Sequence, residues 1–521
     1  MHEAIRIIES IPNRFRKEKA ADFNCTMHFE LENEEPILYT VNILNGACLL
    51  QKGLHNKPDC VVSCTADDYV AMETGSLQPQ EALMSGKVKV SDIAVMMQFV
   101  KCFKRYDTTT ASNHNFGTEE SVELKYVQRP EIKGPLRGVR IVDFTRLLPG
   151  PLATMFLAQL GAEVIKVEDP DNPDYVRTFH PRLHDYSAFY YALNACKKSC
   201  CINYLNPEGR DILFHIISTA DVLVEQFRPG VMKHFGLDYD TLSEKFPQLI
   251  YVSITGHGSH SSRKDIAGHD LNYIAESGLV HMNGNTPTLP GFQAADVAGG
   301  AYMAMHAITT ALFQREKTQK GCHINVAMTD AVLPLIALPL AAQQCIQETL
   351  KPGLFELGGS LPNYNIYRCA DGKYIALGAL EPKFWNNFCD AVHKQEWKKC
   401  IIGSQEEKTK VIQEVANLFL SKPRDLWLDL LKSTDCCISP VNNVQEVLSY
   451  DYYDEQNMFI ENQIISCKTF KTLRHPVKFN DTESNSYWLA PYLGEDTASI
   501  LSSLGYEEKN IKDFKSKGLV K

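Results

Sequence analysis

Residues 107–119 constrain this chain more than any other stretch. Thr108, Thr109 and Thr110 are followed by Ser112, Asn113 and Asn115, and Phe116 is the one large apolar side chain among them. Such a segment offers too little apolar surface to pack, so it reads as a linker between two parts with separate cores. In front of it, Phe23, Cys25, Met27, Phe29 and Leu31 alternate with polar residues, the period of a half-buried strand. A second apolar run over 37–44 stops at Asn45-Gly46, a dipeptide that tolerates positive φ and favours a hairpin. A third strand over 61–65, a helix over 67–72 and an amphipathic segment over 93–103 complete a small α+β unit, assigned to residues 1–106.

Behind the linker, taken as 107–133, the pattern changes to strands over 139–144, 162–168, 222–225 and 249–254, alternating with helices over 152–160 and 212–219. That alternation predicts an α/β fold with a doubly wound parallel sheet over 134–521. Asp371-Gly372, between apolar runs at 364–370 and 374–377, predicts a hairpin and opens a smaller lobe at roughly 355–450. Long helices over 301–315 and 332–347 would connect the lobes.

The formal net charge of -10 disfavours nucleic acid and broad anionic surfaces as partners. Sixteen cysteines in so long a chain, with no signal peptide in front, read as reduced thiols rather than a disulfide scaffold. Neither Cys200-Cys201 nor Cys436-Cys437 has zinc-ligand spacing, so no metal is expected. No apolar run is long enough for a membrane span. The tail ends Gly518-Leu519-Val520-Lys521, which is not a peroxisomal SKL tripeptide. The expectation is a soluble intracellular protein, cytoplasmic by default.

Gly150-Pro151 stands where a dinucleotide fold needs GxGxxG, and no GxSxG elbow of a hydrolase occurs. Three separated segments instead carry groups able to move a proton: Gly268-His269-Asp270, Ala295-Asp296-Val297 and Leu380-Glu381-Pro382. Together with Leu148-Pro149-Gly150-Pro151, the run from Leu160 to Glu168, Arg228-Pro229-Gly230-Val231 and the run from Asp435 to Val441, they resemble the alpha-methylacyl-CoA racemases of the family III CoA transferase fold. The stretch from Gly75 to Val90 resembles the sterol carrier protein type two family.

The first resemblance implies an interlocked homodimer, an acyl-CoA substrate and no separate cofactor. Two bases must flank one carbon to invert it, so His269 and Asp296 are assigned to opposite faces of a planar enolate, with Glu381 orienting the His269 ring. Backbone amides after Asp296, approached closely at Gly299-Gly300, would hold the enolate oxygen. CoA contacts are assigned to Lys197, Lys198, Arg228, Gly268, Asp270, Leu271, Asn272 and Tyr273. Asp169-Pro170 stands where the racemases tend to carry an arginine, and Phe292-Gln293 departs from the usual Asn-Leu before the aspartate. The alternatives are a CoA transferase using Asp296 as nucleophile and a non-catalytic acyl-CoA or lipid-binding protein. The family leaves a peroxisomal or mitochondrial setting open. The second resemblance implies an apolar tunnel for a fatty acyl or sterol ligand, lined by Met84, Ile93, Val95, Met96, Phe99 and Val100.

Overall fold

The computed structural model describes residues 3–20, 23–33, 36–44, 47–104, 106, 129, 132–183, 186–284, 286–353, 355–464, 468–479 and 487–521. The chain divides into two compact units, Met1–Val127 and Gln128–Lys521. The Asn45-Gly46 turn and nearly all of the expected linker lie outside the described residues.

The first unit is built on a five-stranded sheet in the order Ala47–Lys52, Ile37–Leu44, Cys25–Glu32, Cys60–Thr65, Val88–Val90. Cys25–Glu32 runs parallel to Cys60–Thr65, and the other neighbours are antiparallel. The alternating residues Met27, Phe29 and Leu31 are buried, with Ile7 and Ile8 of the helix Glu3–Glu9 in the same core. The helix Ala66–Thr74 starts where the Thr65 side chain accepts the Asp68 amide and stops at Gly75, whose positive φ ends the ladder. Strand Ala47–Lys52 was not anticipated, because it lies on the edge of the sheet, buries no residue fully and so leaves little hydrophobic signal.

In the second unit six strands form one parallel sheet, in the order Lys198–Cys201, Glu163–Glu168, Arg140–Asp143, Val222–Glu225, Ile250–Thr255, His323–Ala327. Counted along the chain this is 3-2-1-4-5-6, the doubly wound order whose crevice opens beside the first and fourth strands. Every residue of Val222–Glu225 and of Ile250–Thr255 is buried, as a sheet covered on both faces requires. The sixth strand, His323–Ala327, escaped the sequence reading.

The smaller lobe carries Tyr364–Arg368, Tyr374–Gly378 and Ile438–Val441 as an antiparallel sheet under the helices Pro382–Ala391, Gln405–Phe419 and Arg424–Leu431. It has its own core around Trp385, Phe388, Trp397 and Phe419. The expected helix over 332–347 is broken into a 3-10 turn, Leu333–Ile336, and an α-helix, Ala337–Cys345. Pro334 lacks the amide that an unbroken ladder would need.

Candidate active site

Asp296 lies on Ala295–Tyr302, a π-helical stretch that continues as the α-helix Met303–Thr318. Wide turns of this kind cluster at functional sites. Two glycines let it pack closely: a Cβ at Gly300 would meet Pro149 Cβ at 2.6 Å, and one at Gly299 would meet Val332 Cγ1 at 2.9 Å. The pair therefore serves packing rather than approach to an enolate. Of the amides expected after Asp296 to serve an enolate oxygen, that of Val297 is occupied by the Gln293 carbonyl, while those of Ala295 and Asp296 just before it donate to Asp270 Oδ1 at 2.6 and 3.0 Å.

The Asp296 carboxylate itself accepts no hydrogen bond from the described residues. Burial, and then the charge of Asp270, push it up to about 7. Asp270 is thus a brace rather than a CoA contact: the residue is 8% exposed and its carboxylate holds the start of the π-helical turn. An acid at the first position of the helix Asp270–Glu276 ordinarily serves that helix, and nothing local in the sequence reveals that it caps another.

His269 precedes this brace in extended conformation, its amide donating to Asn272 Oδ1 at 3.0 Å and its carbonyl accepting the Asn272 amide. The backbone is pinned while the ring is exposed. His269 is therefore the immediate neighbour of the residue whose carboxylate holds the Asp296 amide. Tyr273 is buried between Gly256 and Gly268, its hydroxyl donating to the Gly268 carbonyl at 2.7 Å; a Cβ at either glycine would collide with the ring. Its phenol is raised by burial and then by the charge of Asp296, with Arg228 opposing. The charges of Asp296 and Arg228 accordingly both reach this phenol. Gly256 was missed in the sequence, where it reads as an ordinary turn glycine.

The assigned CoA contacts separate into two groups. Arg228, Leu271 and Asn272 are exposed, whereas Gly268, Asp270 and Tyr273 build the turn. Lys197 and Lys198 are corrected. Lys197 is fully buried, with Nζ 3.0 Å from Asp143 Oδ2 and 2.8 Å from Asn194 Oδ1, and Lys198 Nζ meets Glu163 Oε1 at 2.5 Å. Neither presents an ammonium to a phosphate. Asp169 is buried as well, and its Oδ1 accepts the Asp171 amide at 2.8 Å in a local turn.

Glu381 is exposed at the N-cap of Pro382–Ala391, and its carboxylate makes no hydrogen bond to His269 within the chain. The tunnel lining is corrected too. Met84, Ile93 and Val100 are 90%, 53% and 55% exposed, Phe99 is in the core, and Val95 and Met96 are half-buried against it.

Fold and site together describe a carboxylate of raised pKa, braced by a second one, on a doubly wound α/β domain that lacks the glycines of a dinucleotide binder. The profile of CoA-transferase family III matches residues 136–497, and the chain belongs to that family of racemases and transferases. That of the SCP-2 sterol transfer family matches residues 6–104, so a sterol carrier domain stands in front. Human alpha-methylacyl-CoA racemase is 30% identical over 390 residues, covering 74% of this chain and 97% of that protein. Human succinyl-CoA:glutarate CoA-transferase is 31% identical over 411 residues, covering 74% and 90%. The crystal structure of a CAIB/BAIF family protein from Brucella suis superposes with a TM-score of 0.63 at 27% identity, over 71% of this chain and 100% of that one.

Proposed function

We propose that the chain is an acyl-CoA racemase that inverts C2 of 2-methyl-branched fatty or sterol-derived thioesters. The observation that carries this reading is the half-buried Asp296 carboxylate, which accepts no hydrogen bond from the described residues, is pushed up to about 7, and belongs to a residue whose amide is held by Asp270, the neighbour of His269. The neutral His269 ring takes the C2 proton, the electron pair moves onto the thioester oxygen, and the protonated Asp296 returns a proton to the opposite face. The reverse reaction starts from ionised Asp296 and imidazolium. A carboxylate near 7 supplies either form at neutral pH, whereas a nucleophile forming an acyl anhydride must be ionised when it attacks. No separate cofactor is needed, because CoA arrives with the substrate, and Arg228 is suited to its phosphates.

A sign follows for pH. With the epimer whose proton Asp296 removes, kcat/KM should rise as pH passes through about 7, and with the other epimer it should fall there. Initial rates of C2 exchange for each epimer measure this, and parallel profiles would remove Asp296 from the chemistry. Asp270→Asn weakens the brace and removes the neighbouring charge, so the inflection should shift down and the rate should fall about tenfold.

The near-equal identity to a racemase and a transferase keeps one second reading, CoA transfer through an Asp296 thioester. Incubating one epimer of a 2-methylacyl-CoA in deuterated water separates them. Label and loss of configuration at C2 that vanish in His269→Ala support the racemase; CoA passing to a free acid without label supports the transferase; neither leaves binding alone.

The proposed homodimer is supported by Ala337–Cys345, which buries none of its residues, and by the exposure of Leu333, Leu335, Leu338 and Leu340. In that dimer Glu381, whose side chain makes no cap hydrogen bond at its own helix, is proposed to meet the His269 ring across the interface. The front domain is proposed to hold the fatty acyl or sterol group.

A further inference from the structure

Glu225 is a buried acid that the proposed chemistry does not use. It ends Val222–Glu225, the fourth strand of the parallel sheet, at the crevice beside the first strand, and only 6% of it is exposed. A carboxyl group in such a place is costly unless hydrogen bonds offset the loss of water. Among the described residues no cation pairs with it, and burial pushes it up to about 7.

What it holds is main chain. Its Oε2 accepts the Phe227 amide at 2.7 Å, closing the turn over Gln226. From behind, Ser253, its partner in register on the fifth strand, hydrogen-bonds the same carboxyl, and Ser253 Oγ lies 3.0 Å from His323 Nε2 on the sixth. A hydroxyl has one hydrogen, so with that hydrogen on Glu225 the His323 ring donates to Ser253 from Nε2. The ring is itself fixed, stacked on Tyr239 with centroids 4.9 Å apart. The carboxyl is thus held across three strands before it touches the turn.

That turn leads directly to Arg228. Gln226 reaches sideways with its side chain, donating to the Arg146 carbonyl at 2.6 Å and accepting the Gly150 amide at 3.1 Å, and the Phe227 ring lies under the Arg146 guanidinium at 5.4 Å. The main chain ahead of Arg228 is pinned by Glu225, and behind it the Arg228 carbonyl accepts the Val231 amide at 3.1 Å. The Arg228 side chain is exposed and makes no hydrogen bond or ion pair among the described residues. A free guanidinium on a long stem loses rotamer freedom when it meets a phosphate, so what the fold can settle beforehand is where its main chain stands.

We propose that Glu225 is the positioning residue for Arg228: its carboxyl fixes the Phe227 turn, so that the guanidinium meets the CoA phosphates without the main chain having to order first. This rests on the phosphate-holding role proposed above for Arg228.

Calorimetric titration of the full chain with CoA itself tests it, in the wild type, Glu225→Leu, Glu225→Gln, Arg228→Ala and the double variant Glu225→Leu with Arg228→Ala. Leucine fills the buried place but accepts no hydrogen bond, so the dissociation constant should rise about tenfold. Glutamine keeps the acceptor and, like the protonated acid, carries no charge, so it should stay within about twofold of the wild type. The double variant should lose no more than Arg228→Ala alone, because without the arginine the turn has nothing to place. Losses that multiply in the double variant overturn the proposal, as do equal losses with leucine and glutamine. Should the leucine variant not fold, hydrogen exchange of the Phe227 amide in the wild-type chain decides: it should be protected without CoA, and an amide as labile as that of an open loop overturns the assignment. Exchange at C2, followed on the same samples, keeps the two readings apart. The expected CoA pattern without C2 exchange removes the racemase and leaves the positioning role, C2 exchange with CoA affinity unmoved by Glu225→Leu does the reverse, and a wild-type chain that binds no CoA overturns both.

Discussion

Asp296→Asn is expected to slow C2 hydrogen exchange by about 10²- to 10⁴-fold, the usual contribution of one positioned acid or base. The same substitution should make the protein more stable above neutral pH. The sign comes from the raised carboxylate: its folded value is about 7, against about 4 in the unfolded chain. Between those values the folded state holds the proton more tightly, so the stability present below about pH 4 is lost as pH rises through about 7. Asparagine does not titrate and keeps a neutral group in the half-buried place. Its advantage should therefore be near zero at acid pH, grow between about 4 and 7, and level off above at on the order of 1 to 3 kcal/mol, discounted for partial exposure. Paired thermal melts at pH 5 and pH 8 read the difference. A variant that is inactive yet no more stable at pH 8 would mean that Asp296 is not held against its ionisation. A gain in stability with loss of exchange is the signature of a site kept strained for chemistry.

How much of this could be read from the residues alone depends on the distance over which each residue acts. The strands Arg140–Asp143, Glu163–Glu168, Val222–Glu225 and Ile250–Thr255 announce themselves through continuous apolar runs bounded by turns, because sheet burial on both faces is written locally. Ala47–Lys52 and His323–Ala327 do not, since both lie on sheet edges and both mix polar residues into the run. Asp296 and His269 stood out by type and neighbours. The role of Asp270 did not, because its partners are the amides of Ala295 and Asp296, some 25 positions away, and a cap made across that distance leaves no spacing rule. Lys197 misled for the same reason. Two adjacent lysines look solvated or phosphate-binding until the fold turns the first inward to Asp143.

Lys197→Ala is expected to destabilise the protein by about 3 to 5 kcal/mol, the usual penalty for removing one member of a buried ion pair. Asp143 would remain fully buried, with Thr145 and Thr154 still donating to it but without its nearest cation. At present burial pulls Asp143 up, yet Lys197 and Lys166 hold it at about 2, while burial brings Lys197 down to about 8. Lys166 cannot take over, because its Nζ is already 2.9 Å from Asp174 Oδ2 and 2.7 Å from the Thr145 carbonyl. Combining Lys197→Met with Asp143→Asn removes both charges, so the double variant should be more stable than the sum of the singles predicts. Urea midpoints of the four proteins give the coupling; additive losses would show that the two side chains do not act as a pair. The consequence reaches the site through packing. Asp143 ends the first strand, and the chain then turns at Thr145, whose side chain lies against Gly150 of the helix Pro149–Gln159, and Pro149 in turn packs on Gly300. Gly300 lies four residues beyond Asp296 on the π-helical turn. Loosening Lys197 should therefore lower kcat more than it raises KM, because the carboxylate proposed to exchange the proton is displaced while Arg228, on a different strand end and proposed to hold the CoA phosphates, stays in place.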